Sequence, residues 1–579
     1  MAIFDFDKKK YFLGDVIVVD TRKIKINVEP DRLKLAKVGG LAAIKVPGAV
    51  EEWLIAVIEK VIKFLGEEAS SENEEQSSTG KSKTFEREIN TVQVILIGTI
   101  KAREGTKPNP FTRSILNFPD IEGECYVLQE KNLEKFMGII SESAKGEHTL
   151  DVGHYTLDPR AKAYLDGNKL FQRHAALFGS TGTGKSWAVA TILERAKELP
   201  SSNIIVFDLH GEYKSLNYAK HLRIAGPDDL TNHDPSVLFL PYWLLNAEEM
   251  QSMFVDRSEF SAHNQVMVFQ EAVTGAKKEI LKKENKTEVL NSFTIDSPVP
   301  FSLDSVISRI DELNTEMEQG ARGLKQGKFF GQFSRFLVRI NSRKNDKRYG
   351  FLFQAPPELH QYKALHGIAE TLMGFTEKGE NRNQVKVVDF SEVPAEILPV
   401  IVGLVARLVY FVQFWMESNK RQPIVFVCDE AHLYLPQKTD ANPLEKRALE
   451  NFEKIAKEGR KYGVGLLVVS QRPSDVSETI LSQCNNFIAL RLTNDRDQSV
   501  VKKLLPDSME GFTELLPILD IGEALIVGDS VLLPTRVKLS PPQQKPISAT
   551  VDFWDEWSKE DKRSDIIRAV ENMRKQSRH

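Results

Sequence analysis

The chain has two textures of apolar and polar positions. Over residues 1–150, short runs rich in β-branched side chains recur at 16–19, 24–28, 92–100 and 125–128, separated by turn-like segments. Strand-length runs spaced this way predict a small β-barrel rather than a strand–helix–strand unit. The stretch 51–64 interrupts them with helical spacing and predicts a helix. Residues 67–84, EEASSENEEQSSTGKSKT, carry Ala69 as their only apolar side chain. Such a segment cannot bury enough surface to offset chain entropy and reads as a disordered surface loop.

From residue 170, strand-length apolar runs alternate with longer amphipathic stretches. Strands are predicted at 175–178, 204–207, 385–388, 424–427, 466–469, 487–490 and 524–527, and helices at 187–199 and 395–418. Runs that are apolar throughout suit strands buried on both faces of a parallel sheet, so residues 151–540 read as an α/β core. Between about 246 and 328 the chain shows charged, helix-period stretches (247–273 and 304–317) and no strand, which predicts an inserted helical subdomain. Its segment 277–286, KKEILKKENK, reads as a solvated helix face. Prolines 534, 541, 542 and 546 lead into a C-terminal tail, 541–579. The tail's Phe553, Trp554 and Trp557 are expected to pack on the same subunit or on a neighbour.

Composition narrows the class. With 41% hydrophobic and 27% charged residues, wholesale disorder and fibrous repeats are excluded. A net charge of -4 excludes a globally basic nucleic-acid coat, though not a local basic channel. Cys125, Cys428 and Cys484 lie far apart with no CxxC pair, which argues against zinc or a disulfide framework and fits a reducing compartment. The start, MAIFDFDKKKYF, does not read as a signal peptide. The longest apolar runs, 92–100 and 398–415, are too short or are broken by Arg407, so no membrane span is predicted. The expected location is the cytoplasm.

Chemistry then enters through spacing. Gly179-Ser180-Thr181-Gly182-Thr183-Gly184-Lys185-Ser186 fits GxxxxGK[ST], with a predicted strand before it and a helix after it. Glycines let successive N–H groups turn inward on a phosphate, and the helix aims its positive end at the same anion. Lys185 is read as the charge on the β- and γ-phosphates of ATP, and Ser186 as a Mg²⁺ ligand. A second strand, 424–427, leads into Asp429 and Glu430. Asp429 is read as holding Mg²⁺ through water, and Glu430 as orienting the attacking water. A third strand delivers Gln471 at its end, where ring ATPases carry a γ-phosphate-sensing amide; the alternative is a cap or turn role. Asp208 and Glu212, in DLHGEY after the strand 204–207, stand where ligands sit in doubly wound sheets and are candidates for metal or water. His210 reads as a structural hydrogen-bonder and Cys428 as a buried strand residue.

Together RHAALFGSTGTGKS, DLHGEY, VDFSEVPAEILP, VFVCDEAH, EGRKYGVGLLVVSQRP, RLTNDRD and GEALIVGDSVLLPTRV resemble, in their order, the HerA family of hexameric DNA-translocating ATPases. This family lies within the FtsK/HerA division of P-loop proteins, and the resemblance is to its bacterial anti-phage type. It implies a RecA-like core with a mostly parallel sheet and an N-terminal HAS-like barrel. It further implies a homohexamer with double-stranded DNA in its channel, and a separate effector, a nuclease or a sirtuin-like NADase, docked on the barrel. Arg173 matches the family's arginine acting on phosphate within the subunit. Arg460 is the candidate for a finger reaching a neighbour's nucleotide, with Lys461 a rival and pairing to Glu458 an alternative. Arg491 and Asp497 match a pattern with no role derivable from sequence. Arg339, Arg343, Lys344, Lys347 and Arg348 are read either as DNA contacts or as an exposed loop of the insert.

Three other classes compete. The letters DEAH at 429–432 suggest a DEAH-box helicase, but no SAT-type or QxxGRxGR-like element follows. An FtsK- or conjugation-type pump would usually carry a membrane anchor. A nucleotide-regulated assembly scaffold would tolerate decay of the site, yet Lys185, Ser186, Asp429 and Glu430 are all in place.

Overall fold

The structure, a computed structural model, describes residues 3–576 apart from 22, 49, 69–84, 103–110, 147, 232–233, 321–322, 376–382, 440, 442, 506, 548–552 and 560–565. In chain order the strands are β1 (Phe12–Val19), β2 (Lys23–Asn27), β3 (Leu41–Val46), β4 (Glu52–Glu68), β5 (Phe85–Lys101), β6 (Phe111–Thr112) and β7 (Glu124–Val127). Next come β8 (Thr149–Tyr155), β9 (Asp158–Asp166), β10 (Ala175–Phe178), β11 (Ile204–Asp208), β12 (Lys220–Ile224) and β13 (Val237–Leu238). The rest are β14 (Met317–Gly320), β15 (Gly323–Gln326), β16 (Val385–Asp389), β17 (Ile424–Cys428), β18 (Val464–Ser470), β19 (Asn486–Ala489), β20 (Glu523–Gly528) and β21 (Thr535–Leu539). The chain forms two compact units. The first comprises Met1–Leu170, Leu177–Ile192 and Asn485–Pro541; the second comprises Phe171–Ala176, Leu193–Cys484 and Pro542–His579.

In the first unit, β2-β1-β7-β3-β4-β5 pair in that order and the β2–β5 pairing closes them into a six-stranded barrel, with β6 added on β5. The alternation of Leu13, Val16, Ile24, Ile26, Ile44 and Leu54 buries one side of each strand, which is how a small barrel fills its interior. Phe6 stacks on Tyr126 at 4.7 Å between ring centroids, and Trp53 meets Phe4 edge-on at 5.8 Å. The helix expected over 51–64 is instead most of β4, paired with β5. Residues 53–58 are all buried, and a run buried on both faces carries no usable period; its β-branched Ile55, Val57 and Ile58 are the better guide. Glu67 and Glu68, expected in the disordered loop, extend β4 opposite Glu86 and Phe85, and the rest of that loop lies outside the described residues.

The first unit also holds β10-β19-β20-β21-β8-β9, antiparallel from β19 onward. The segments 487–490 and 524–527, expected in a parallel sheet, are antiparallel partners. Burial on both faces, the cue for that expectation, does not encode strand direction.

The second unit carries a parallel sheet, β13-β12-β16-β11-β17-β18. Its centre is apolar on both faces, with Phe207 stacked on Phe426 at 5.3 Å. The helix Leu398–Trp415 is long and apolar enough to cross a membrane, yet 72% of it is buried in protein. Arg407 in its middle is paired with Glu249 at 2.7 Å, both nearly inaccessible, and donates to the Leu244 carbonyl at 2.9 Å. The insert contains the helices Ala247–Phe254, Ala262–Lys283, Thr287–Ser292 and Leu303–Thr315. It also contains the antiparallel hairpin β14–β15, which corrects the expectation of no strand there. Every β15 side chain is exposed, so no apolar alternation announces it. Lys277, read as solvated, is fully buried and donates to the Ile295 and Ser297 carbonyls at 2.6 and 2.7 Å. Burial lowers its ammonium to about 8. The tail helix Phe553–Trp557 leaves Phe553, Trp554 and Trp557 exposed, so they do not dock on their own subunit.

Candidate active site

The chemistry-bearing residues fall into two groups, one in each unit. In the first unit, β10 runs into residues 179–186 and then the helix Lys185–Ala196. Gly182 and Gly184 take left-handed φ of 74° and 103°, where a side chain would strain the backbone. A Cβ on Gly179 would meet Thr183 Oγ1 at 2.6 Å and Leu490 Cβ at 2.9 Å, so the loop packs too closely for anything but glycine. The loop is pinned at three points. Thr183 Oγ1 donates to the Ser180 carbonyl at 2.7 Å, Ser180 N–H to the Arg491 carbonyl at 2.9 Å, and Gly522 N–H to the Thr183 carbonyl at 3.1 Å. Arg491, whose role sequence reading could not derive, thus braces the phosphate loop through its backbone. Lys185 is 9% exposed and its Nζ rests 3.4 Å from the Ser180 carbonyl, a long contact that a phosphate oxygen can replace. Thr181 and Gly182 are exposed, while Ser186 is half-buried at the helix start. The loop therefore offers N–H groups, one ammonium and one hydroxyl to an anion.

Removing the ammonium tests this. Lys185→Ala should weaken ATP binding about 100-fold, the ~3 kcal/mol of a charge-assisted hydrogen bond, in titration calorimetry. Affinity within threefold of the parent would show that Lys185 does not bear on the phosphates.

In the second unit, acids gather at the strand ends. Asp208 closes β11, but its carboxylate is already committed. Oδ1 accepts the N–H groups of His210, Gly211 and Glu212 at 3.2, 2.8 and 3.1 Å, and Oδ2 that of Tyr213 at 3.0 Å. The expectation that Asp208 reaches metal or water is corrected: it shapes the DLHGEY turn, with Gly211 left-handed at φ 73°. His210 contributes its N–H to that turn, and its ring is exposed.

Asp429 follows β17 and is buried. Burial, then the charges of Glu430, Glu212 and Asp208, push its carboxyl up to about 8. Three neighbouring carboxylates thus add to the effect of burial. Among the described residues no group of three or more His, Cys, Asp or Glu could hold a metal by itself. Ser186, at the helix start in the first unit, and Asp429, in the second, are the residues read from the sequence as ligands of Mg²⁺. That ion would neutralise phosphate charge. Glu430 donates its backbone N–H to Asp429 Oδ1 at 3.0 Å and sits at a left-handed φ of 45°. Its side chain, 14% exposed, lies 3.3 Å from His432 Nδ1. Cys428 is buried and its thiol pushed far up, so it is inert.

Gln471 is half-buried just after β18, Arg173 half-buried just before His174, and Arg460 exposed on the turn Gly459–Tyr462. Sequence reading missed His174, which is 3% exposed at φ 51°. Its Nδ1 accepts the Leu466 N–H at 3.0 Å and its Nε2 lies 3.0 Å from the Ala456 carbonyl. This ring ties β18, which leads to Gln471, to the helix Pro443–Glu458. Burial, aided by the Arg460 charge, lowers its imidazolium to about 4. A single histidine before a strand gave no sequence signal.

The five basic candidates for DNA lie on or after the helix Ser334–Asn345, not in an open loop. Arg339 is held by Glu259 at 2.7 Å, Arg348 by Asp346 at 2.7 Å, Arg343 by Glu396 at 3.7 Å, and Lys344 by Asp304. Ion-paired in this way, these four form no free cationic patch.

A strand–loop–helix built around a GxxxxGK[ST] sequence, with an acid-ended strand in a parallel sheet, defines a P-loop ATPase. The description "Helicase HerA, central domain" matches residues 150–409, and "Helicase HerA-like C-terminal" matches 410–546. The chain belongs to the HerA family. It is 27% identical over 423 residues to the DNA double-strand break repair helicase HerA of Pyrococcus furiosus, covering 68% of this chain and 70% of that one. It is 28% identical over 399 residues to the protein of the same name from Saccharolobus solfataricus, covering 67% and 68%. Among solved structures, VirB4 of Thermoanaerobacter pseudethanolicus superposes with a TM-score of 0.47 at 16% identity, over 69% of this chain and 98% of that one. The plasmid coupling protein TrwB in complex with ADP and Mg²⁺ does so with a TM-score of 0.42 at 12% identity, over 72% and 94%.

Proposed function

We propose that this ATPase is a double-stranded DNA translocase or helicase that closes into a homohexamer around the duplex and is driven by Mg²⁺-dependent ATP hydrolysis. It works in the cytoplasm with a separate effector, a nuclease or a sirtuin-like NADase. The setting is anti-phage defence or DNA end processing, and the effector docks on the N-terminal barrel. The observation that carries the reading is the HerA match across residues 150–546 with both halves of the hydrolytic chemistry intact. The curated relatives' names, as repair helicases, support the DNA substrate.

In this reading the loop 179–186 wraps the phosphates, Lys185 bears on the β- and γ-oxygens, and Ser186 and Asp429 hold the metal. Glu430 orients the attacking water, Gln471 senses the γ-phosphate, Arg173 acts within the subunit and Arg460 reaches a neighbour. A closed ring is the natural outcome of such a head-to-tail contact.

Duplex binding tests the DNA assignment. A contact made through phosphates releases counterions, so affinity should fall on the order of 100-fold or more between 50 and 200 mM salt, with no sequence preference. Flat affinity across that range, measured by fluorescence anisotropy in the presence of a non-hydrolysed ATP analogue, would remove the DNA reading.

A further inference from the structure

The loop 255–261, between the helices Ala247–Phe254 and Ala262–Lys283, holds an aromatic ring in solvent. Phe260 is fully exposed, whereas Phe254, just before the loop, is buried against Phe269 at 5.9 Å. The loop is nonetheless tightly built. Asp256 Oδ1 accepts the Ser258 N–H at 2.9 Å and the Ser258 hydroxyl at 2.6 Å. Glu259 accepts from Arg339 and from the fully buried Gln265, each at 2.7 Å. Arg339 also donates to the Phe254 carbonyl at 2.8 Å. Arg339, a candidate for DNA by sequence, thus fixes the shape of a loop whose tip is Phe260.

Cations accompany this ring. Arg257 is exposed on the loop itself. Arg335 is exposed one helical turn before Arg339, a spacing that places the two Cβ atoms about 6 Å apart on one helix face. Asn264, at the start of the next helix, donates to Gln332 at 2.8 Å, which ties in the turn that carries the exposed Lys328 and Phe330. Among the described residues, Arg257, Lys328 and Arg335 have no carboxylate partner. The acids beside them are committed, Glu259 to Arg339 and Asp256 to Ser258. A lone exposed apolar side chain is ordinary on a protein surface. One on a braced loop, among cations without acid partners, fits a ligand that offers both an aromatic face and negative charge.

We propose that the loop 255–261 is a DNA contact that recognises unpaired bases: Phe260 stacks on a base, and Arg257 and Arg335 bear on the adjoining phosphates. In a duplex the base faces are already stacked on one another, so a phenyl ring finds a partner only at a single-stranded tail or an opened end. A loop already ordered by its own hydrogen bonds loses little freedom on contact, so the stacking energy is not offset by ordering. Such a device lets a duplex translocase tell a tailed end from a blunt one. This inference rests on the reading of the chain as a DNA translocase.

The full-length chain, with a non-hydrolysed ATP analogue, is titrated by fluorescence anisotropy against a blunt duplex and against the same duplex carrying a single-stranded tail. The parent should hold the tailed DNA about tenfold more tightly, the worth of one base stacked on an aromatic ring. Phe260→Ala should erase that preference and leave the affinity for blunt DNA within about twofold, since the ring supports no fold contact that its removal would break. Phe260→Trp should keep the preference. Arg335→Gln should weaken both DNAs alike and reduce the slope of log affinity against log salt by about one. A preference that survives Phe260→Ala overturns the proposal, and so does a parent that binds both DNAs equally. It is equally overturned if Phe260→Ala leaves DNA binding alone but lowers the particle mass in native mass spectrometry, which makes the ring a contact between subunits. Salt-independent affinity of the parent for both DNAs would instead remove the DNA reading itself, whatever the Phe260 variants do.

Discussion

Glu430→Gln is expected to bind ATP with parental affinity and to hydrolyse it about 100- to 1,000-fold more slowly. Positioned acid–base groups contribute about 10²–10⁴ to a rate, and glutamine keeps the shape of glutamate while losing its basicity. The structure makes the substitution clean. The Glu430 side chain is mostly buried, and the left-handed turn is fixed by the backbone N–H bond to Asp429 Oδ1, which glutamine retains. Phosphate release under saturating ATP and Mg²⁺ gives the rate, and titration with a fluorescent ATP analogue gives the affinity. Turnover within threefold of the parent would move the catalytic role away from this residue. Slow turnover accompanied by lost binding would show instead that the change damages the nucleotide site.

His174 carries the second large effect, on stability rather than chemistry. Its ring is locked as one neutral tautomer, because Nδ1 must accept the Leu466 N–H while Nε2 faces the Ala456 carbonyl. Its folded value, about 4, lies below the ordinary 6.5. Between those values the unfolded chain takes up a proton and the folded chain does not. The stabilisation is therefore present above pH 6.5 and is lost as pH falls toward 4. At ~1.4 kcal/mol per unit, the loss approaches about 3 kcal/mol. Urea midpoints at pH 7.5 and 4.5 should show a steep acid loss in the parent. His174→Gln should start less stable at pH 7.5 and show a shallower loss on acidification. An equally steep acid limb in His174→Gln would mean that other groups, not this ring, set the acid sensitivity.

What the sequence disclosed about this site follows the reach of local spacing. The phosphate loop is one unbroken octapeptide whose geometry is set by its own glycines, so Gly179 to Ser186 are legible without a fold. Asp429 and Glu430 likewise follow directly from a strand. Asp208 misleads for the same reason: a carboxylate at a strand end looks like a ligand until the four N–H groups that occupy it are seen. Contacts between residues far apart in the chain stay hidden. Nothing near Arg491 announces that its carbonyl receives the Ser180 N–H, and nothing near His174 announces Leu466. The barrel is legible as a class, but β4 is not, since residues 53–58 are buried on both faces and give a period no purchase. The hairpin β14–β15 escapes for the opposite reason, having almost no apolar side chains to pattern.

The helix Leu398–Trp415 also bears on how the chain is made. Emerging from a ribosome before its partners exist, it presents 18 residues whose hydropathy would satisfy a translocon. Arg407 stands near the midpoint of that stretch, and an arginine at the centre of an inserting helix costs about 3 kcal/mol. The side chain that later finds Glu249 in the interior therefore also biases the newborn segment away from lipid. Arg407→Leu should convert an isolated copy of this segment into a better membrane inserter, while in the finished protein it strands the carboxylate of Glu249. The charge thus serves the chain twice, first by discouraging the wrong solvent and afterwards by filling a place that only the folded protein provides.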